Sequence, residues 1–190
     1  MLDKRNFYIN GKWVSASKPN DFEVINPSNE EPFAIISLGY KEDTDIAVKA
    51  AKNSFNKWKE TSKEERINLL EKLLKIYKKR FNEMTEAITT EMGSPIDYSS
   101  STHTVSGQSH IEDFILRLKE FNFEKHFDSK SNNYISYEPI GVCGLITPWN
   151  WPINQIALKV IPAIATGCTM ILKPSEIAPV SAMLFAEMID

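Results

Sequence analysis

Apolar and polar positions change rhythm several times along this chain, and each rhythm predicts an element. The run Phe7 to Val14 reads as two short strands meeting at Asn10-Gly11, a pair that tolerates the positive backbone angles of a type I′ turn, so a β-hairpin is predicted. Phe22 to Ile25 and Phe33 to Ile36 flank the turn formers of Pro27 to Pro32 and give strand, turn, strand. A period of three to four then takes over. Asp43 is placed as the cap of a helix carrying Ile46, Ala47, Ala50, Ala51, Phe55 and Trp58 on one face. Ser62 with Glu65 makes the capping box of one longer helix, which buries Ile67, Leu70, Leu74, Tyr77, Phe81, Met84 and Ile88 and ends at Gly93-Ser94-Pro95. A third helical pattern follows the Ser99 to Thr102 patch and runs through Val105, Ile111, Phe114, Ile115 and Leu118. The polar, turn-rich stretch Phe127 to Asn133 is the internal boundary, after which Tyr134 to Tyr137 alternates as a strand does.

Beyond Glu138 the pattern is strand, helix, strand. Ile140 to Ile146 is a short apolar run bounded by turn formers, the mark of a strand buried on both faces of a parallel sheet. The chain turns at Thr147 to Pro152, and from Ile153 apolar residues return at Ile156, Ala157, Val160, Ile161 and Ile164, with Gly167 as the stop. Thr169 to Lys173 is a second buried strand, broken by Pro174. Pro179, Val180, Met183, Leu184, Ala186 and Met188 open a further amphipathic helix in which the sequence stops, leaving the sheet unfinished. The fold class expected is α/β, an incomplete doubly wound parallel sheet preceded by a small antiparallel element. Ligands collect beyond the carboxyl ends of such strands.

Composition narrows the function classes. A chain of 190 residues, 42% hydrophobic and 25% charged, is ordinary for one globular domain. Its net charge of −3 gives no basic footprint, which excludes nucleic acid as a partner. The N-terminal residues lack the apolar centre of a signal peptide and no run is long enough to span a membrane, so a cytoplasmic protein without a membrane partner is expected. Cys143 and Cys168 lie in or beside apolar strands and read as small, inert hydrophobes. His103 and His110 stand seven residues apart without a cysteine or carboxylate to complete a metal set, so no metal is expected. Lys72, Lys75, Lys78 and Lys79 read as a solvated helix face.

The chemistry-bearing residues sit at the ends of the two parallel strands. Asn150 follows a Pro-Trp turn, where a carboxamide can donate to an oxygen that becomes negative in a tetrahedral intermediate. Spacing favours the plainer reading, that Asn150 caps the helix beginning near Pro152 or Ile153. Lys173 and Glu176 offer a cation and a carboxylate suited to ribose hydroxyls, and a surface ion pair accounts for them equally well.

Tyr8 to Val14, Val24 to Pro27, Gly141-Val-Cys-Gly-Leu-Ile-Thr-Pro-Trp-Asn150 and Leu172-Lys-Pro-Ser-Glu176 together resemble the N-terminal part of an NAD(P)-dependent aldehyde dehydrogenase, and the resemblance spans almost the whole chain. It implies a Rossmann-like fold in three parts: residues 1–123 as the hairpin and helical part of the cofactor-binding domain, 124–138 as a bridging strand segment for oligomerisation, and 139–190 as the first part of the cofactor-binding sheet. It also implies that Asn150 helps form the oxyanion hole and that Ile146, Thr147, Pro148 and Trp149 line the nicotinamide side. Lys173, Ser175 and Glu176 then bind the adenosine ribose, and Lys159 is a weaker carry-over that aids proton movement. The implied partners are NAD, with NADP as a second cofactor, a small aldehyde, and further copies of the chain when full length. Cys168 stands where the family usually has asparagine. The family's nucleophilic cysteine, glutamate base and phosphate-binding glycine turn would all fall beyond Asp190, so the isolated chain is expected to be inactive and poorly folded or self-associating. A non-catalytic nucleotide-binding or interaction module is the alternative reading.

Overall fold

Asn10 and Gly11 adopt φ of 55° and 70°, the two positive angles a type I′ turn needs, and so fold strand β2 (Phe7–Ile9) back on β3 (Lys12–Val14). The computed structural model describes residues 1–128 and 132–190, which leaves the middle of the Phe127 to Asn133 stretch outside the described residues. Strand β1 (Leu2–Lys4), which the sequence pattern does not announce, pairs parallel with β5 (Glu31–Ser37). On its other side β5 pairs antiparallel with β4 (Asp21–Asn26), so the sheet order is β1-β5-β4. Pro32, expected in the turn, lies inside β5 opposite Ile25. The register slips between Val24 and Ile25, a bulge that accommodates a residue without a backbone N–H.

Helix α1 spans Lys41–Trp58. Asp43 is not its cap but its third residue: the carboxylate reaches back to the Tyr40 backbone N–H at 2.8 Å and also accepts from Ser17 N at 2.7 Å. Burial works against this charge, but the Tyr40 and Ser17 hydrogen bonds prevail and hold the carboxyl below its ordinary range. Ile46, placed by periodicity on the buried face, is 53% exposed; Ala51, placed on the same face, is buried, and its carbonyl accepts from Thr169 Oγ1.

The Ser62–Glu65 capping box forms as expected and starts helix α2 (Lys63–Lys79). The single long helix predicted here is two. Arg80 leaves helical angles at φ −101°, ψ 19°, and α3 (Phe81–Met92) follows at once. At the break the Arg80 guanidinium bonds Glu83 and, across the molecule, Glu187 at 2.9 Å. Gly93, with φ 69°, ends α3 where the sequence placed the stop, and the four lysines of α2 are solvent-exposed.

A short turn α4 (Ile96–Tyr98) runs into a π-helical segment, Ser99–Thr104, and then α5 (Val105–Glu120). Strands β6 (Glu124–His126) and β7 (Tyr134–Ser136) form an exposed antiparallel ribbon. The second half is β8 (Val142–Ile146), α6 (Pro152–Ala165), β9 (Thr169–Lys173) and α7 (Val180–Ile189), with β8 and β9 parallel in the register Ile146↔Lys173. That unit is as predicted, except that β8 and β9 are half-exposed rather than buried on both faces; Ile146 is 74% exposed. Gly167 (φ 76°) stops α6 as expected.

The main core gathers Leu70, Tyr77, Met84, Ile111, Ile153, Ile161 and Phe185 from α2, α3, α5, α6 and α7. A smaller cluster seats Val24, Ala34 and Ile36 of the N-terminal sheet on Val180. Glu91 of α3, 2% exposed, accepts from the backbone N–H of Val180 (2.7 Å) and Ser181 (3.2 Å) and so caps α7 from within the protein. No helix among the described residues is long and apolar enough to cross a membrane.

Gly107 sets the spacing of α5 and α6. A Cβ there would stand 2.5 Å from Tyr77 Oη and 2.7 Å from Ile153 Cγ1, both on fully buried side chains. Gly107→Ala is therefore expected to cost about 1–3 kcal/mol of overpacking, less the ~1 kcal/mol that alanine gains in a helix. Tyr77→Phe removes the nearest clashing atom, so the double variant should recover part of the loss. Thermal melting of all four proteins reads the coupling, and strictly additive losses would refute the contact.

Candidate functional site

The parallel register sets the carboxyl ends of β8 and β9 side by side, and the Thr147 N–H donates to the Lys173 carbonyl at 3.2 Å just past them. Two turns leave from this edge. One carries Pro148, Trp149 and Asn150; the other carries Pro174, Ser175 and Glu176. The sequence-predicted residues thus emerge on one rim of the sheet.

Pro152 occupies the first position of α6, where its missing N–H costs nothing, and the cap position is Trp151 (φ −155°, ψ 69°), which makes no side-chain capping bond. The cap reading of Asn150 is therefore corrected. Its side chain is exposed and has no hydrogen-bond partner among the described residues, which leaves both carboxamide N–H groups for a ligand.

What holds the turn is a set of residues that the sequence marks for no such part, His103 and His110 standing out there only as an incomplete metal pair. The Trp151 ring packs edge-on to His103 at 5.5 Å, and His103 packs edge-on to Tyr98 at 5.1 Å. His103 lies inside the π-helical segment, and its burial lowers its pKa. One turn into α6, Asn154 Oδ1 meets His110 Nε2 at 2.7 Å, which ties α5 to the base of the same turn. His103 and His110 thus each support the turn, and among the described residues no group of three metal-ligating side chains forms. Trp151 and Asn154 lie more than forty residues from the histidines they meet, so nothing in local sequence marks those two contacts.

On the other turn Lys173 Nζ sits 2.8 Å from Glu176 Oε2, with both side chains substantially exposed. The ammonium, as hydrogen-bond donor and as charge, holds the Glu176 carboxyl below its ordinary range. Ser175 Oγ accepts from the Ile177 N–H at 3.2 Å. Lys159, half-buried on α6, donates to Gln155 at 3.2 Å, one helical turn away. An exposed ion pair is weakly held, and its groups are free to exchange partners with a bound hydroxyl. Exposed Ile146 and Trp149, with open space over Gly144, give the same edge an apolar floor. An unpartnered carboxamide, an apolar floor and an adaptable charge pair along one strand edge fit a nucleotide cofactor and a carbonyl compound.

Comparison with known proteins gives this edge a context. The sequence pattern described as the aldehyde dehydrogenase family matches residues 13–190. The chain is 46% identical to a 3-succinoylsemialdehyde-pyridine dehydrogenase of a Pseudomonas species, a match covering 100% of this chain and 39% of that protein. It is 40% identical to a putative aldehyde dehydrogenase of Staphylococcus aureus, again over 100% of this chain and 39% of the relative. Among solved structures, an aldehyde dehydrogenase of Bartonella henselae superposes with a TM-score of 0.98 at 54% identity, covering 100% of this chain and 40% of that one. A mutant aldehyde dehydrogenase C of Pseudomonas syringae, complexed with NAD+ and octanal, superposes with a TM-score of 0.94 at 39% identity, covering 97% and 38%. The chain thus spans about two fifths of the length of these curated relatives.

Proposed function

The chain belongs to the aldehyde dehydrogenase family, and from that premise we propose that it is the N-terminal portion of an enzyme that oxidises an aldehyde to a carboxylic acid with NAD+. The observation that carries the reading is the exposed, unpartnered carboxamide of Asn150 beside an open parallel-strand edge. NAD+, when bound, takes up the two electrons released as the aldehyde carbon is oxidised. This chain supplies the surroundings. The Asn150 carboxamide donates to the substrate oxygen as negative charge develops on it. Ile146, Thr147, Pro148 and Trp149 line the nicotinamide side and keep water off it. Lys173, Ser175 and Glu176 hold the ribose hydroxyls, and Lys159 assists proton movement. The nucleophilic cysteine and the general base that the family resemblance implies are not among these 190 residues, so the isolated chain should show no aldehyde-dependent NADH formation.

The same proposal includes a cytoplasmic location and a homo-oligomer built on residues 124–138. The β6–β7 ribbon leaves Phe127 65%, Tyr134 54% and Tyr137 43% exposed, an aromatic surface suited to burial against another copy.

Cofactor choice provides the test. A carboxylate at Glu176 accepts from a free 2′-hydroxyl but repels a 2′-phosphate, while Lys173 at 2.8 Å softens the repulsion. NAD should be preferred to NADP. Glu176→Gln in the full-length enzyme removes the charge and keeps an acceptor, so the ratio of kcat/KM for NAD to that for NADP should fall about fivefold, the worth of ~1 kcal/mol at an exposed site. An unchanged ratio would place Glu176 away from the ribose, as a surface ion pair only.

A further inference from the structure

Among the described residues, Trp149 and Asn150 make no hydrogen bond to any other element, through backbone or side chain. The turn that presents the Asn150 carboxamide is therefore fixed only from its two ends. Before it, the Thr147 N–H donates to the Lys173 carbonyl at 3.2 Å. After it, Trp151 stands outside helical angles at φ −155°, ψ 69°, and its ring meets the His103 ring at 5.5 Å and 80°, an edge-to-face contact. That contact is ring packing alone, because His103 Nδ1 and Trp151 Nε1 are both buried and neither has a hydrogen-bond partner among the described residues.

We infer that His103 is a positioning residue for the aldehyde oxidation, which acts through the Trp151 ring to set the direction in which Asn150 presents its carboxamide. The inference rests on the reading of Asn150 as the donor to the substrate oxygen.

The core makes His103 a fixed point. The side chain is 5% exposed, and Thr104 beside it is fully buried and held twice: its carbonyl accepts from Tyr77 Oη at 2.9 Å, and its hydroxyl meets Thr85 Oγ1 at 2.9 Å. Ser106 Oγ donates to the His103 carbonyl at 2.7 Å. The π-helical turn completes the placement. Residues five apart on an α-helix point about 140° away from each other. A π turn closes on the fifth residue instead and brings Tyr98 and His103 to one side, where their rings meet at 5.1 Å. Contacts thus run unbroken from Tyr77 and Thr85 through Thr104 and His103 to Trp151, the residue next to Asn150. His110, bonded to Asn154 at 2.7 Å, holds the first turn of α6 separately. Losing the His103 ring should loosen the Asn150 turn and leave that helix in place. Misplacing a reacting group by about 1 Å costs on the order of 10²-fold in rate.

The test is made on the full-length enzyme labelled with fluorotryptophan, the Trp151 fluorine resonance being assigned by its loss in Trp151→Phe. His103→Leu keeps an apolar side chain without a ring, and His103→Phe keeps the ring. His103→Leu should slow acylation by about tenfold or more while the KM for NAD stays within about twofold of the parent's, and the Trp151 resonance should shift and broaden. His103→Phe should restore both rate and resonance, and it should melt no lower than the parent because it removes an unpaired buried nitrogen. An unshifted Trp151 resonance in folded His103→Leu would overturn the inference. So would a folded His103→Phe that lacks the parental rate, an outcome that stays decisive where the leucine variant does not fold. Asn150→Ala separates this inference from the reading beneath it. If Asn150→Ala acylates at the parental rate, the oxyanion reading fails, and the Trp151 resonance still reports whether His103 sets the turn. If Asn150→Ala is slow and His103→Leu slows it further by its full single-variant factor, His103 does not act through Asn150 and the inference falls.

Discussion

Asn150→Ala, made in the full-length enzyme, is expected to slow acylation by a factor of about 10²–10³, the ~2.7–4 kcal/mol typical of losing one oxyanion donor. The expectation rests on what the side chain does not do in the resting fold. The α6 cap position is Trp151, and Asn150 bonds nothing among the described residues. Removing its carboxamide thus breaks no structural hydrogen bond, and melting temperature and NAD affinity should stay close to those of the parent. Rapid-mixing measurement of the acylation burst separates this outcome from a structural one. A variant that melts earlier but acylates at the parental rate would restore Asn150 to a purely structural part.

Stability is expected to fall by about 3 kcal/mol between pH 5 and pH 8 through Glu91 alone. Burial drives the Glu91 pKa from 4.5 up to about 7, against the opposing pull of hydrogen bonds from Ser181 and Val180. A carboxyl whose folded pKa lies above its unfolded one binds more protons when folded. Its contribution is complete below about pH 4.5 and is lost as the pH rises through about 7. A difference of about two and a half units corresponds to ~3 kcal/mol. Glu91→Gln keeps an acceptor for the first N–H groups of α7 but does not titrate, so its unfolding midpoint should lose this dependence. Parallel pH profiles for parent and variant would show that α7 is capped without a charge penalty.

The sequence was most legible where one local rule decides the outcome. Asn10-Gly11 could turn only one way without strain, Ser62 and Glu65 satisfy each other within a single turn, and Gly93 and Gly167 stop helices by entering a region other residues avoid. The placement of the candidate residues on one strand edge was legible for the same reason, since the register Ile146↔Lys173 follows from two short apolar strands joined by one helix. Misreadings came where a distant partner decided. No glycine or proline marks Arg80, yet the pull of Glu187, 107 residues away, accompanies the break between α2 and α3. Ile46 follows the helical period but finds nothing to pack on, and Asp43 moved from cap to third residue because Ser17 supplies a second set of donors. The supports of the Asn150 turn, His103 and His110, belong to this class too.

Lys4 bonds Glu187 and Tyr8 bonds Asp190, contacts that close over 183 and 182 residues. On a ribosome adding roughly 5–20 residues per second, the N-terminal strands emerge about 10–40 s before their partners exist. The small sheet must wait that long with Val24, Ala34 and Ile36 lacking Val180, the residue that covers them. Nascent chains of this protein should therefore be clients of ribosome-associated chaperones until α7 clears the exit tunnel. A stalled series of increasing length should show protease resistance arriving in one step there, not strand by strand.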